Sequence, residues 1–157
     1  MTQSLEERIQ THFIEQGITL VAAESCTGGT LAARLTAVAG ASRYFLGSLV
    51  VYSNAFKKEF LGVTDATIEA HGAVSEETVK EMLAGLMRTT QGDVAIAISG
   101  IAGPSGGTAA KPVGTVFFGI QRRGEESQLH RLQLKGDRQG IITCAVDEIL
   151  ACLCACR

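Results

Sequence analysis

A serine placed between a strand and a helix is the first candidate for chemistry in this chain. Ser25 lies in the run Glu24-Ser25-Cys26-Thr27-Gly28-Gly29, after the short apolar run 18–23 and before Leu31, Leu35 and Val38 at helical spacing. A turn into a helix N-terminus directs the amides of Thr27, Gly28 and Gly29 towards one spot. It also adds the positive end of the helix dipole, a setting that would hold an oxyanion or a phosphate. The same pattern fits a plain cap, with Ser25 or Thr27 closing the helix and the glycines permitting a tight turn. A hydroxyl becomes a nucleophile only beside a base. The three histidines are unsuited: His12 falls in a surface register of the first helix, His71 in a turn before Gly72 and His130 in a hairpin, none with an Asp partner nearby. Lys57 follows Tyr52-Ser53-Asn54. Burial against Phe56 and Phe60 would lower its pKa until the neutral amine accepts a proton, and an exposed helix lysine is the alternative reading.

Two further groups could meet a ligand. The loop Gly100-Ile101-Ala102-Gly103-Pro104-Ser105-Gly106-Gly107-Thr108 matches neither the phosphate loop ending in Gly-Lys-Ser/Thr nor the dinucleotide fingerprint. It is still a backbone-rich cradle, with Thr108 and Lys111 offering a hydroxyl and a charge, or else a long surface connection. Arg138 opens the last helix and could grip a phosphate with two parallel N–H bonds. Metal sites are not expected. Cys152, Cys154 and Cys156 are spaced by two on an expected helix, which splays them, whereas metal ligands must converge.

These residues need elements to position them. Ser4 and Glu7 fit a capping box ahead of Leu5, Ile9 and Phe13, and Gly17 supplies the stop of a first helix. Residues 18–23 and 94–99 read as strands buried on both faces, and 44–52 as another strand. Val79, Met82, Leu83, Leu86 and Met87 define a helix over 75–88 behind a Ser cap. Residues 113–121 and 128–135 flank a charged turn and read as an antiparallel hairpin. A last helix, from Arg138 to Leu153, is apolar over a wide face and would pack on the sheet or on another subunit. The order predicts an α/β fold, a three-layer α/β/α domain with a mixed, mainly parallel sheet. In such sheets ligands collect at the carboxyl ends of strands, where Ser25, the Tyr52-Ser53-Asn54 turn and the Gly-rich loop all fall.

Composition sets the remaining bounds. A chain of 157 residues with 46% apolar and 19% charged side chains is expected to form one domain over 1–157 with a continuous core. A net charge of −2 with scattered Lys and Arg argues against nucleic acid as the main partner. The polar N-terminus and the lack of any apolar run of about 18 residues argue against a signal peptide and a membrane span. A cytoplasmic protein with five free thiols is therefore expected.

The motifs have an order as well as a composition. Ala23-Glu24-Ser25-Cys26-Thr27-Gly28-Gly29, Tyr52-Ser53-Asn54 and His71-Gly72-Ala73-Val74-Ser75-Glu76 are followed by Ser99 to Pro104 with Gly106-Gly107. Lys111-Pro112-Val113-Gly114-Thr115-Val116 and Gly136-Asp137-Arg138 complete the series. Over about residues 5–153 this series resembles the CinA C-terminal domain, a family that includes stand-alone nicotinamide-nucleotide amidases of the PncC type. The resemblance implies hydrolysis of the carboxamide of nicotinamide mononucleotide to nicotinate mononucleotide and ammonia, without metal or cofactor. It gives Ser25 the attack, Lys57 the base and then the acid, and Tyr52 an assisting hydrogen bond. Backbone amides around Thr27 and Gly28 would hold the oxyanion. Gly103, Gly106, Gly107, Thr108 and Arg138 would contact the ribose phosphate, and water would release the acyl-enzyme. The three-layer fold and a homo-oligomer are implied too.

Two positions depart from that pattern. Relatives often carry a second arginine where this chain has Ile142, and an acidic residue where it has Ala110. A non-catalytic nucleotide-binding or regulatory module, or an amidase for another small amide, therefore stand as alternatives. The combination of Ser25, Tyr52 and Lys57 favours catalysis, because pure binding needs no serine with a base. Many CinA proteins carry a large N-terminal domain that is not expected here, and its chemistry is not transferred.

Overall fold

Uninterrupted apolar runs become the centre of the sheet. A computed structural model describes residues 2–156. β1 (Leu20–Glu24) and β3 (Val94–Gly100) lie side by side and parallel, buried along almost their whole length on both faces. β2 (Phe45–Val50) pairs parallel to β1 at one edge. β4 (Thr115–Arg122) and β5 (Gln128–Gln133) add an antiparallel hairpin at the other, giving the order β2-β1-β3-β4-β5. Only β4 runs against the common direction, so the sheet is mixed and mainly parallel, in the three-layer α/β fold expected.

Side chains alternate across this sheet and define two cores. Leu20, Ala22, Ile96, Ile98, Val116 and Phe118 face α1 (Leu5–Gln16), α2 (Thr30–Thr36) and α6 (Arg138–Ala155). Val21, Ala23, Ala95, Ala97 and Phe117 face the other layer, α3 (Asn54–Leu61), α4 (Asp65–His71) and α5 (Glu76–Thr89). The last helix packs its apolar face on α1, α2 and the sheet. Among the described residues, no helix is long and apolar enough to cross a membrane.

Most helices start where a side chain can accept from the first turn. Ser4 and Glu7 form the full capping box of α1, Ser53 caps α3, Ser75 caps α5 and Asp137 caps α6. Helix α4, capped by Thr64, was not legible in the sequence: with seven residues and none buried it carries no apolar stripe. The short β2 also stops at Val50, two residues before the expected end, because Val51 and Tyr52 turn away towards α3. One close approach holds α3 in place. A Cβ at Gly85 of α5 would lie 2.2 Å from the Leu61 carbonyl oxygen, so any side chain there would push away the helix that carries Lys57.

Candidate active site

The carboxyl ends of β1 and β3 open onto a cleft of about 260 Å³ whose lining includes Ser25, Tyr52, Asn54, Lys57, Gly103 and Arg138. β1 ends at Glu24, and the next amide, that of Ser25, donates to the Ile98 carbonyl of β3 at 3.1 Å. The nucleophile candidate is thereby pinned to the rigid centre of the sheet. Ser25 is 7% exposed and Lys57 only 2%.

Lys57 reaches Ser25 because of its place on α3. Lys57 and Leu61, four residues apart, share the buried face of that helix. Phe56 and Phe60 share the outer face, 5.0 Å apart and about half exposed. The expectation that these two rings desolvate Lys57 is therefore wrong: they meet edge to face outside, while the lysine is buried by the strand end and the turn. Its Nζ lies 3.0 Å from Ser25 Oγ, 3.1 Å from the Val51 carbonyl oxygen and 3.2 Å from the Tyr52 carbonyl oxygen. No carboxylate is among these partners. Burial pushes the Lys57 pKa below the ordinary lysine value of 10.5, partly opposed by the neighbouring Cys26. Nζ donates to all three oxygens, and the same geometry serves the neutral amine. Two N–H groups satisfy the two carbonyls, which can only accept, and the lone pair is left for the serine O–H.

The turn after Ser25 is held by a residue to which the sequence reading gave no role. Glu24 is fully buried, and its carboxylate accepts from Thr27 Oγ1 (2.7 Å), Ser48 Oγ (2.8 Å), and the amides of Leu31 (2.9 Å) and Ala32 (3.2 Å). These amides belong to the first turn of α2, so the helix terminus is neutralised from inside the protein. It is not an open anion site. Two expectations change with it. The Thr27 hydroxyl faces inward, and the Gly28 amide donates to the Ser25 carbonyl at 3.1 Å, closing the turn instead of facing an oxyanion. Among the described residues, no backbone carbonyl accepts from the amides of Cys26 or Thr27. The clue to Glu24 was a carboxylate ending an otherwise apolar, doubly buried strand. A charge there must be compensated from within.

Other expected contacts divide. Gly103 and Gly106 line the cleft, whereas Gly107 and Thr108 do not. Gly107 backs onto Val113, and Thr108 closes a tight turn with Lys111, its amide donating to the Lys111 carbonyl and its hydroxyl accepting from the Lys111 amide. Lys111 donates its ammonium to the His71 carbonyl, away from the cleft. Arg138 bridges to the Gly103 carbonyl (2.7 Å) and the Tyr52 phenol oxygen (2.6 Å). Its partners are neutral, so its charge is not cancelled. Ser99, also on the cleft wall, donates to the Ala73 carbonyl. Of the histidines, His12 is half-buried rather than on the surface, edge-on to Phe13, and His130 stacks on Phe118. Neither lines the cleft.

Cys26 stands beside Ser25 and is not a rival nucleophile. Burial pushes its pKa up to about 12, so the thiolate is scarce near neutral pH. Alkylation with iodoacetamide at pH 7.5 is expected to modify the exposed Cys144 and spare Cys26, as peptide mass mapping would show. Rapid modification of Cys26 would contradict this. Among the described residues, no group of three or more His, Cys, Asp or Glu side chains could hold a metal ion.

Fold and cleft together define a three-layer α/β domain with a buried Ser–Lys pair at a strand-to-helix turn. The chain belongs to the CinA C-terminal domain family, which it matches over residues 2–156. It is 45% identical over 143 residues to the nicotinamide-nucleotide amidohydrolase PncC of Enterobacter agglomerans, covering 87% of each chain. The CinA-like protein of Thermotoga maritima is 48% identical over 141 residues, 90% of this chain. There the chain spans only about a third of its relative's length, 34%. A crystal structure of the competence damage-inducible protein A from Klebsiella pneumoniae superposes with a TM-score of 0.93 at 38% identity, over 97% of this chain and 94% of that one.

Proposed function

We propose that this chain hydrolyses the carboxamide of nicotinamide mononucleotide, giving nicotinate mononucleotide and ammonia. The observation that carries the reading is the buried Lys57 Nζ, 3.0 Å from Ser25 Oγ and without a carboxylate partner. The substrate class follows from the PncC relative, which this chain matches over most of both lengths.

As Ser25 Oγ attacks the carbonyl carbon, its proton passes to Lys57. The developing oxyanion is met by the amides of Cys26 and Thr27, which no backbone carbonyl occupies among the described residues. Collapse of the tetrahedral intermediate breaks the C–N bond, and Lys57 returns the proton to the departing nitrogen, which leaves as ammonia. Water, deprotonated by Lys57, then cleaves the Ser25 ester to release the acid. Arg138 supplies the cation for the phosphate and Tyr52 an adjacent hydrogen bond. Ile142, one turn beyond Arg138, packs partly on the core, so this face of α6 offers one arginine where relatives often have two. That favours a weaker grip on the phosphate, read as a raised KM. The test is to incubate the protein with nicotinamide mononucleotide and measure ammonia and acid together, with other small amides as competitors. Equal release of both products supports the reading. A folded protein that binds the nucleotide without releasing ammonia supports a binding module.

The lysine gives the reaction a pH signature. Because the base must be unprotonated, kcat/KM is expected to rise with pH through one ionisation whose midpoint lies below 10.5. Stability has the same sign. Between the folded and unfolded pKa values of Lys57 the unfolded chain binds more protons, so this site's contribution increases with pH across that interval. A profile flat up to pH 10 would remove Lys57 from the role.

The surroundings of the site bear on its assembly. The apolar side chains Leu46, Leu49 and Phe60 line one hollow between β2 and α3, with Val50 and Phe56 exposed on the same two elements, and a second copy of the chain is the proposed cover, giving a homo-oligomer. Sedimentation at micromolar concentration is expected to show a species larger than one chain, and Leu49→Glu to shift it to the monomer. A monomeric parent protein would dismiss this. All five cysteines are free thiols, in keeping with the reducing cytoplasm as the place of action.

A further inference from the structure

Arg138 joins three elements around the cleft and does so through neutral groups alone. From the first turn of α6 its Nη1 donates to the Gly103 carbonyl of the Gly-rich loop, and its Nη2 donates to the phenol oxygen of Tyr52, beyond β2. Tyr52 and Arg138 are both exposed, and both line the cleft that holds Ser25 and Lys57. A guanidinium held by two neutral acceptors keeps its full charge, and a phosphate dianion makes stronger, charge-assisted bonds with the same fork of N–H groups. The two partners are then in competition for Arg138.

We propose that Arg138 is a phosphate-operated positioning residue for Tyr52. It holds the phenol oxygen while no phosphate is present, and it gives the phenol up to the cleft when the phosphate of a substrate takes over the guanidinium. This rests on reading the cleft as a site for a phosphate-bearing substrate. It goes beyond that reading in making the phosphate a signal as well as a handle. A substrate lacking the phosphate meets Tyr52 still held. Selection for the phosphorylated form then occurs in the arrangement of the site, in addition to binding strength.

The chain offers a clean reporter, because it has two tyrosines and no tryptophan. The other tyrosine, Tyr44, is 1% exposed, and its phenol oxygen has no hydrogen-bond partner among the described residues. Tyr44→Phe keeps the ring, breaks no bond and leaves Tyr52 as the only fluorophore. Inorganic phosphate titrated into this variant at constant ionic strength is expected to produce a saturable shift in tyrosine emission. The response should be lost in the Tyr44→Phe, Arg138→Ala double variant and retained, at higher phosphate, with Arg138→Lys. Absence of any response, or the same response without Arg138, overturns the proposal. The result separates from the amidase reading. Turnover of nicotinamide mononucleotide with silent emission removes the coupling and leaves the amidase, whereas a phosphate response with no ammonia release keeps the coupling and removes the amidase.

Discussion

Replacing Ser25 by Ala is expected to reduce turnover of nicotinamide mononucleotide by on the order of 10⁴-fold or more, with the nucleotide still bound. The substitution takes away the hydroxyl that stands 3.0 Å from Lys57 Nζ on the cleft wall. It leaves the Ser25 amide bonded to Ile98, the turn closed by Gly28 and the Glu24 network intact. Stability should therefore change little, and the loss should appear in kcat. Steady-state ammonia release, with binding of the nucleotide followed by calorimetry, checks both halves. A variant that keeps even a tenth of the parent rate would show that water, and not Ser25, attacks the amide.

Lys57→Met is expected to cost on the order of 10³-fold in kcat/KM, the scale of a general base. Methionine keeps an unbranched apolar stem in the buried channel but supplies neither lone pair nor N–H. The Val51 and Tyr52 carbonyls then lose their donor, which costs about 1–3 kcal/mol for a buried acceptor. Removing a desolvated amine offsets part of that cost. The variant should stay folded, with a modest fall in melting temperature, and lose the ionisation below pH 10.5 from whatever activity persists. Retention of the parent pH profile would mean that the ionisation belongs to another group.

The sequence was most informative where periodicity and capping agree. Residues 94–99 and 75–88 are a strand and a helix in the structure with boundaries within one residue at each end. Ser25 was legible because an apolar run, a small polar turn and a helical stripe place it at a strand end, and Lys57 because a Tyr-Ser-Asn turn precedes it. Their closeness in space was not legible: they stand 32 positions apart, and only the pairing of β1 with β2 and the packing of α3 on α5 close that distance. The inward turn of Lys57 was likewise assigned to the wrong neighbours. Phe56 and Phe60 lie one and three residues from it in sequence but occupy the outer face of the helix. The anion-binding role of the α2 terminus failed for a local reason, since Glu24 fills it from the end of β1. In the Gly-rich loop, composition marked the segment without telling which residues face the cleft. Gly103 and Gly106 do, and Thr108 spends its groups on the turn with Lys111.

The central claim is a covalent one: the acyl group of the substrate passes through Ser25. Parent protein turning over nicotinamide mononucleotide, quenched in acid at short intervals and digested, is expected to carry the nicotinate mononucleotide acyl group as an ester on the peptide containing Ser25. Product accumulating while that peptide keeps its unmodified mass at every interval would contradict the account.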